Sequence, residues 1–217
     1  MTTKKRNVPI RPVKRVLHIF CEGAKTEPNY LRRYLDVNFP GDRRRQVIRF
    51  EPTAKTTPIQ LVEEAVKMKK SPDYPVTDVF WVVYDREAPA KYPDELHARA
   101  RSEADANGVK IALSNICFEQ WLLLHFIEST APYSSYDNLI AASPFLQQLS
   151  GIGISDYEKG GLKLLMHLSD ARIVSARTRA KKMNDQIKKS AKVGFEEPHQ
   201  LNPYSNVFEL LDEIDKF

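Results

Sequence analysis

His18-Ile19-Phe20-Cys21-Glu22-Gly23 and Phe80-Trp81-Val82-Val83-Tyr84-Asp85-Arg86-Glu87 each read as an apolar strand that stops at an acidic turn. Both deliver carboxylates to a strand's C-terminal end, where an open α/β sheet keeps its binding crevice. Glu22, Asp85 and Glu87 are therefore expected to converge on one metal ion. The chemistry this implies is that of a magnesium-dependent enzyme acting on phosphates.

Outward from these strands, apolar runs alternate with helical stripes. Val16 to Cys21 is expected as a strand. A helix from Thr26 to Phe39 follows, with Thr26 as N-cap, Pro28 in the first turn and a stripe of Tyr30, Leu31, Tyr34 and Leu35. Val47 to Glu51 is a short strand, and Thr57-Pro58 opens a helix that buries Leu61, Val62, Ala65 and Val66. Asp78 to Tyr84 is the strongest strand. A polar helix from Pro93 to Asn107 stops at Gly108, and a fourth strand, Val109 to Leu113, leads into a helix from Cys117 to Glu128. Four strands joined by helices predict an α/β core over residues 14–128, a parallel sheet with helices on both faces.

Beyond residue 130 no further strand is expected. Pro144 interrupts a helical stretch from Tyr136 to Leu149. Gly151, Gly153, Gly160 and Gly161 bracket a loop holding Asp156, Tyr157, Glu158 and Lys159. A basic helix from Asp170 to Lys189 and one with Val207, Leu210, Leu211 and Ile214 on a stripe complete a helical part, residues 129–217, packed on the core.

At 217 residues and 42% hydrophobic, the chain can bury a substantial core. No apolar run approaches a membrane span, and the N-terminus lacks a signal-peptide core. Cys21 and Cys117 lie far apart with no Cys-x-x-Cys partner, which argues against a disulfide framework or a zinc knuckle. The expected location is the cytoplasm, with no membrane partner. The net charge of +5 is unevenly spread. Lys4, Lys5, Arg6, Arg11, Lys14 and Arg15 stand in residues 1–15 without an acid, so residues 1–13 read as a flexible basic tail. Arg43-Arg44-Arg45 forms a second cluster, and eight Lys or Arg residues oppose only Asp185 between Arg172 and Lys192. Such clusters suit a polyanion, DNA or RNA, because each neutralised phosphate releases counterions; a solvated tail and helix face give the same pattern. No Walker-type Gly-Lys-Ser/Thr is present, so ATP hydrolysis is not expected.

Carboxylates held close together stay ionised only if a cation compensates them. Magnesium takes oxygen ligands and leaves positions for water and phosphate oxygens. Asp85 and Glu87, two apart, would share one face of a continuing strand, and Glu22 would come from its neighbour as a ligand or as a general acid/base. The same spacing also fits two acids that cap the following helices, with Glu87 as a surface turn residue.

Leu113-Ser114-Asn115-Ile116-Cys117-Phe118-Glu119-Gln120-Trp121-Leu122-Leu123-Leu124-His125-Phe126 follows the fourth strand, so its polar residues emerge at the same sheet edge. Phe118, Trp121, Leu122 and His125 lie on one stripe that reads as core. Asn115 and Glu119 are candidate catalytic residues, and each also suits the start of a helix. His125 on an apolar stripe needs a hydrogen-bond partner, in the site or in the core. Lys25, on the turn after Glu22, would set an ammonium against a scissile phosphate. Lys159 rides on the glycine-rich loop, which would close as a lid. Glu27 sits in a helix's first turn, where an acid is favourable whatever the function.

The third segment, Cys21-Glu22-Gly23-Ala24-Lys25-Thr26-Glu27-Pro28-Asn29-Tyr30 and Val83-Tyr84-Asp85-Arg86-Glu87 resemble the signature of the RloB-like family. So do Tyr157-Glu158-Lys159 and Asn202-Pro203-Tyr204-Ser205-Asn206-Val207, and the resemblance spans residues 14–214. It implies a place in bacterial restriction and abortive-infection loci, often beside an ATPase partner called RloA, in phage defence of the type known as AbiL. It also implies a core similar to the Toprim fold of primases, topoisomerases and OLD-family nucleases. There a glutamate after the first strand acts as general acid/base, and an Asp-x-Asp after a later strand binds magnesium. Glu22 and Asp85 match, while Glu87 replaces the second aspartate with a side chain one methylene longer. The function so implied is cleavage of DNA, tRNA or another RNA with magnesium or manganese. Glu22 would be acid/base and ligand, and Asp85 and Glu87 the other ligands. The departure at Glu87 keeps open a docking module that retains the scaffold without cutting, or a sensor whose nuclease is latent. Fold-level likeness alone does not choose among them.

Overall fold

The structure, a computed structural model, describes residues 15–41 and 46–217. The expected tail, residues 1–13, and the Arg43-Arg44-Arg45 cluster lie outside those residues. From the N-terminal side the chain runs β1 (Leu17–Cys21), α1 (Thr26–Asn38), β2 (Ile48–Glu51), α2 (Pro58–Lys70), β3 (Val79–Asp85), α3 (Asp94–Asn107) and β4 (Lys110–Asn115). The four strands pair in parallel in the order β2-β1-β3-β4. Cys21 pairs with Val83 and Asp85 with Ser114, so β1, β3 and β4 finish at one edge of the sheet.

Side chains alternate across a strand, and here both faces are apolar. Phe20, Phe80, Val82, Tyr84, Ile111 and Leu113 meet Leu61, Val62, Ala65 and Val66 of α2 and Ala100 and Ala104 of α3. Leu17, Ile19, Trp81 and Val83 point the other way, to α1 and to the rest of the chain. That part comprises α4 (Phe118–Leu123), α5 (Tyr136–Ala142), α6 (Phe145–Ser150), α7 (Lys163–Met166), α8 (Asp170–Ser190) and, at the end, α9 (Val207–Lys216). Trp121, Leu139, Phe145, Leu164, Met183 and Leu211 from these helices belong to one apolar cluster with the sheet. Among the described residues, no helix is long and apolar enough to cross a membrane.

Three local expectations need correction. Thr26 is the first residue of α1 and not its N-cap; Lys25 precedes the helix and gives no side-chain cap bond. The helix expected to reach Glu128 ends at Leu123. The ring of His125 explains this, because its Nδ1 takes the Trp121 carbonyl at 3.0 Å, the acceptor a continuing helix would offer to the His125 backbone. The backbone N–H of His125 turns to Leu122 instead.

The third correction is a fifth strand. β5 (Tyr204–Ser205) pairs antiparallel with β4, Ser205 against Ser114 and Tyr204 against Asn115. Two residues are too few for an alternation to register in sequence. Asn206 extends the ladder with its side chain. Its Oδ1 accepts from the Leu113 N–H at 2.7 Å and its Nδ2 donates to the Ile111 carbonyl at 2.9 Å. Asn206→Ala leaves both strand groups buried and unpaired, and the expected loss is about 2 kcal/mol or more in urea unfolding. A loss below about 0.5 kcal/mol contradicts this role for the amide.

Candidate functional site at the carboxylate edge of the sheet

Glu22 leaves β1 at its C-terminal end. Its N–H donates to the Val83 carbonyl at 2.9 Å, and its Oε2 accepts from the Asp85 N–H at 3.1 Å. The first acid is thereby clamped across the end of β3. Asp85 is the last residue of that strand, 5% exposed, and its Oδ1 has no hydrogen-bond partner. Glu27, in the first turn of α1, lies over Gly23, where a Cβ would stand 2.2 Å from its Oε2. A glycine at 23 is what leaves room for that carboxylate. Glu119, in the first turn of α4, is fully buried and accepts from the Tyr157 hydroxyl at 2.9 Å through Oε1. Glu27 Oε2 and Glu119 Oε2 are, like Asp85 Oδ1, buried and unpartnered.

Burial pushes the Asp85 carboxyl well above the ordinary carboxylate range, and the charges of Glu27 and Glu119 push the same way. Burial also raises Glu27. Glu22 is pushed up to about 7, first by burial and, against the Asp85 N–H bond, by the charge of Glu87. An ammonium answers these acids. Burial alone would lower the pKa of Lys159, but Glu119 and Asp85 hold it above the ordinary lysine value, and its Nζ stands 4.6 Å from the centre of the Tyr136 ring. The glycine-rich loop delivers this lysine. Gly160, at φ 78°, offers its carbonyl to Asn29 Nδ2 at 3.1 Å, and a Cβ there would stand 2.6 Å from the Cβ of Lys25. Burial, joined by Glu27 at Cys21 and by Glu119 and Asp85 at Cys117, pushes both buried thiols up and keeps them protonated.

The residues expected from sequence are thus only partly together. Glu22 and Asp85 are bonded through the Asp85 backbone. Glu87 pairs with Lys91, its Oε1 accepting from Lys91 Nζ at 2.7 Å on a left-handed backbone at φ 58°, and its charge also bears on Glu22, Glu27 and Lys159. Lys25 is exposed on the outer side of its turn. Glu119 lies in the cluster. Asn115 spans to the C-terminal segment, donating through Nδ2 to the carbonyls of His199 at 3.2 Å and Leu201 at 2.7 Å. His125 is held in the core between Trp121 and the Tyr30 hydroxyl, which is 3.0 Å from its Nε2. Among the described residues, no group of three or more His, Cys, Asp or Glu is already arranged as a metal site. The unpartnered oxygens of Asp85, Glu27 and Glu119 are nevertheless hard donors of the kind magnesium or manganese takes, and these residues could hold such an ion.

Sequence reasoning undervalued Glu27 and missed Arg86. The available signal for Glu27 was the glycine four residues before it. Arg86, 3% exposed, donates through Nε to the His199 carbonyl at 2.9 Å, through Nη1 to the Tyr92 carbonyl at 2.8 Å and through Nη2 to Asp94 Oδ1 at 2.5 Å. Its own carbonyl accepts from His97 Nε2 at 3.0 Å. Burial and the Arg86 charge lower His97 to about 4, so that ring is neutral. The basic helix α8 is engaged by the fold through Arg177 and Arg179, while Lys181, Lys182, Lys188 and Lys189 are exposed. Arg177 bonds Asp212 and Asp215, Lys182 pairs with Glu128, and Arg179 donates to the Leu124 carbonyl.

A mostly parallel sheet with Glu22 after β1 and buried Asp85 ending β3, joined by Glu27 and Glu119 and faced by the charge of Lys159, defines an α/β protein with an acidic centre at one edge of its sheet. The model of the RloB-like protein family matches residues 17–214, and the chain belongs to that family. No curated protein and no solved structure matches it.

Carboxyls raised in the folded state keep protons that the unfolded chain has already lost. Their contribution to stability is complete below the ordinary carboxyl range and is lost as pH rises through about 7, where Glu22 titrates. Without added metal, the urea midpoint should therefore be higher at pH 5 than at pH 8, and Glu22→Gln should flatten the difference. A midpoint that rises over this window contradicts the cluster's electrostatics.

Proposed function

We propose that this protein is a magnesium-dependent nuclease that cleaves phosphodiester bonds in DNA or RNA within a bacterial phage-defence system. In this reading it has a Toprim-like core, acts in the cytoplasm and works beside a RloA-like ATPase. One observation carries it. Three buried carboxylates at the strands' C-terminal edge, Asp85, Glu27 and Glu119, each keep an oxygen without a partner. An arrangement so costly in bare form is worth keeping where a cation completes it.

Asp85, Glu119 and Glu27 would hold the ion, with Glu87 joining them only on leaving Lys91. Bound there, magnesium or manganese would supply positive charge to the phosphate oxygens and align the reacting groups. The chain's own part is proton transfer and positioning. Glu22, poised near neutrality, takes a proton from the attacking water and returns one to the leaving oxygen. The Asp85 N–H fixes that carboxylate's direction. Lys159, whose charge already answers Glu119 and Asp85, would offer its ammonium to the phosphate where an ion answers theirs.

A second reading has its own observation. The Glu87–Lys91 pair leaves the expected acidic trio incomplete, which suits a module that docks on an ATPase or on nucleic acid without cutting. Purified protein with Asp85→Asn or Glu119→Gln separates the two. With magnesium, the nuclease reading expects each variant to cut plasmid DNA or tRNA at least about a hundredfold more slowly than wild type. It also expects magnesium to raise the pH 8 urea midpoint of wild type but not of Asp85→Asn. Equal cleavage by Asp85→Asn would sink the assignment, and a wild type that neither binds magnesium nor cuts would leave the docking module.

A further inference from the structure

A cavity of about 600 Å³ lies between α8, the end of α6 and the residues that follow α4. Arg172, Ser175 and Arg179 of α8 line one wall, and Gln147, Gln148, His125 and Phe126 line the others. Positions i, i+3 and i+7 share one face of a helix, so the two arginines stand two turns, about 10 Å, apart along its axis with the serine between them. A carbonyl holds each guanidinium by one nitrogen. Arg172 Nη1 donates to His167 at 3.3 Å, and Arg179 Nη1 donates to Leu124 at 2.8 Å. The Arg172 guanidinium also lies 4.7 Å from the centre of the Phe126 ring, which steadies it without cancelling its charge. Arg177, on the same helix, is paired with Asp212 and Asp215; among the described residues, Arg172 and Arg179 meet no carboxylate. No acid lines the cavity, and the acids nearest in sequence, Glu128 and Asp170, stand outside it.

Unanswered charge beside a cavity sets the sign of what enters. Burial, and then the charges of Arg172 and Arg179, lower His125 to about 4, so the ring is neutral and the fields of both arginines meet at its wall. Two positive centres call for more than one negative charge. The donors still open, on both guanidiniums and on the amides of Gln147 and Gln148, outnumber the two oxygens of a carboxylate and suit the oxygens of phosphate groups. We infer that this cavity binds two closely spaced phosphates of one ligand, one at Arg172 and one at Arg179, with Gln147 and Gln148 donating to their outer oxygens. A nucleoside triphosphate and a nucleic-acid strand both carry such phosphates. The acidic centre contributes no residue to the cavity, so the inference stands whether or not that centre cuts.

Titration calorimetry of the full chain with pyrophosphate, in EDTA so that no metal takes part, tests the site. Wild type is expected to bind pyrophosphate more tightly than orthophosphate. Ser175→Glu sets a carboxylate between the two guanidiniums and should weaken pyrophosphate binding at least about tenfold, and Arg172→Ala should do the same. Ser175 is half-buried on the helix surface and its new neighbours are cations, so the Ser175→Glu urea midpoint should not fall. Adenosine triphosphate and a labelled oligo(dT) then separate the two sources. The natural ligand is the one that binds more tightly and loses more in Ser175→Glu, and a strand should also show a shallower salt dependence in that variant. Binding to basic residues elsewhere survives Ser175→Glu, so the part lost is the part read. A wild type that does not bind pyrophosphate, binding that both variants leave intact, or tighter binding of a hexaglutamate peptide than of pyrophosphate overturns the inference.

Discussion

Like charges in a dry place repel, and this fold brings Glu22, Glu27, Asp85 and Glu119 into one another's field at the end of a buried sheet. The parallel pairing of β1 and β3 sets the first and third of these side by side. A missing side chain at Gly23 makes room for Glu27, and the turn into α4 presents Glu119 from the next strand. Each acid is tolerated through something specific: the Asp85 N–H for Glu22, its own backbone N–H and the Lys159 charge for Glu27, the Tyr157 hydroxyl for Glu119, and the Lys159 ammonium for Asp85 and Glu119. The donors for Glu119 come from a loop more than thirty residues further along the chain. The site is therefore a property of the whole chain and not of its α/β half.

Glu87 stands at the margin of these acids, its charge bearing on Glu22 and Glu27. Beyond it the structure is governed by Arg86, whose three donor groups gather the carbonyls of His199 and Tyr92 and the carboxylate of Asp94. A buried guanidinium with a full set of acceptors is rigid, and it fixes the turn on which Glu87 sits. At Glu87 the backbone is left-handed and the side chain pairs with Lys91. One turn thus joins the acidic cluster to the Arg86 network.

The alternation of strands and helices up to Asn115 was legible because each parallel strand is a dense apolar run and each helix keeps a stripe. The acids at the strand ends were legible for the same reason, since Glu22 and Asp85 interrupt such runs abruptly. Other features left no local trace. β5 is two residues held by the side chain of Asn206, and α4 stops early because a histidine ring competes for a carbonyl. Glu27 looked like any acid in a first turn, and nothing beside Arg86 in sequence set it apart. Both are defined by residues distant in sequence, Glu119 and Lys159 for one and His199 for the other. The resemblance carried by the motifs reached the family, but the pairing of Glu87 with Lys91 could not be read from spacing.

The two faces of the sheet differ in when they can be covered. Residues of α2 and α3, which close one face, lie between the strands they cover, so that half of the core is assembled from near neighbours. The other face presents Leu17, Ile19, Trp81 and Val83 to helices that begin only after Asn115, apart from α1. During synthesis these apolar side chains wait while about a hundred further residues are made, roughly 5–20 s at ribosomal rates. Contacts so remote in sequence slow folding and leave the sheet open to wrong partners in the meantime. The architecture that lets a distant loop deliver Lys159 to the acids also obliges the newborn chain to spend that interval half covered.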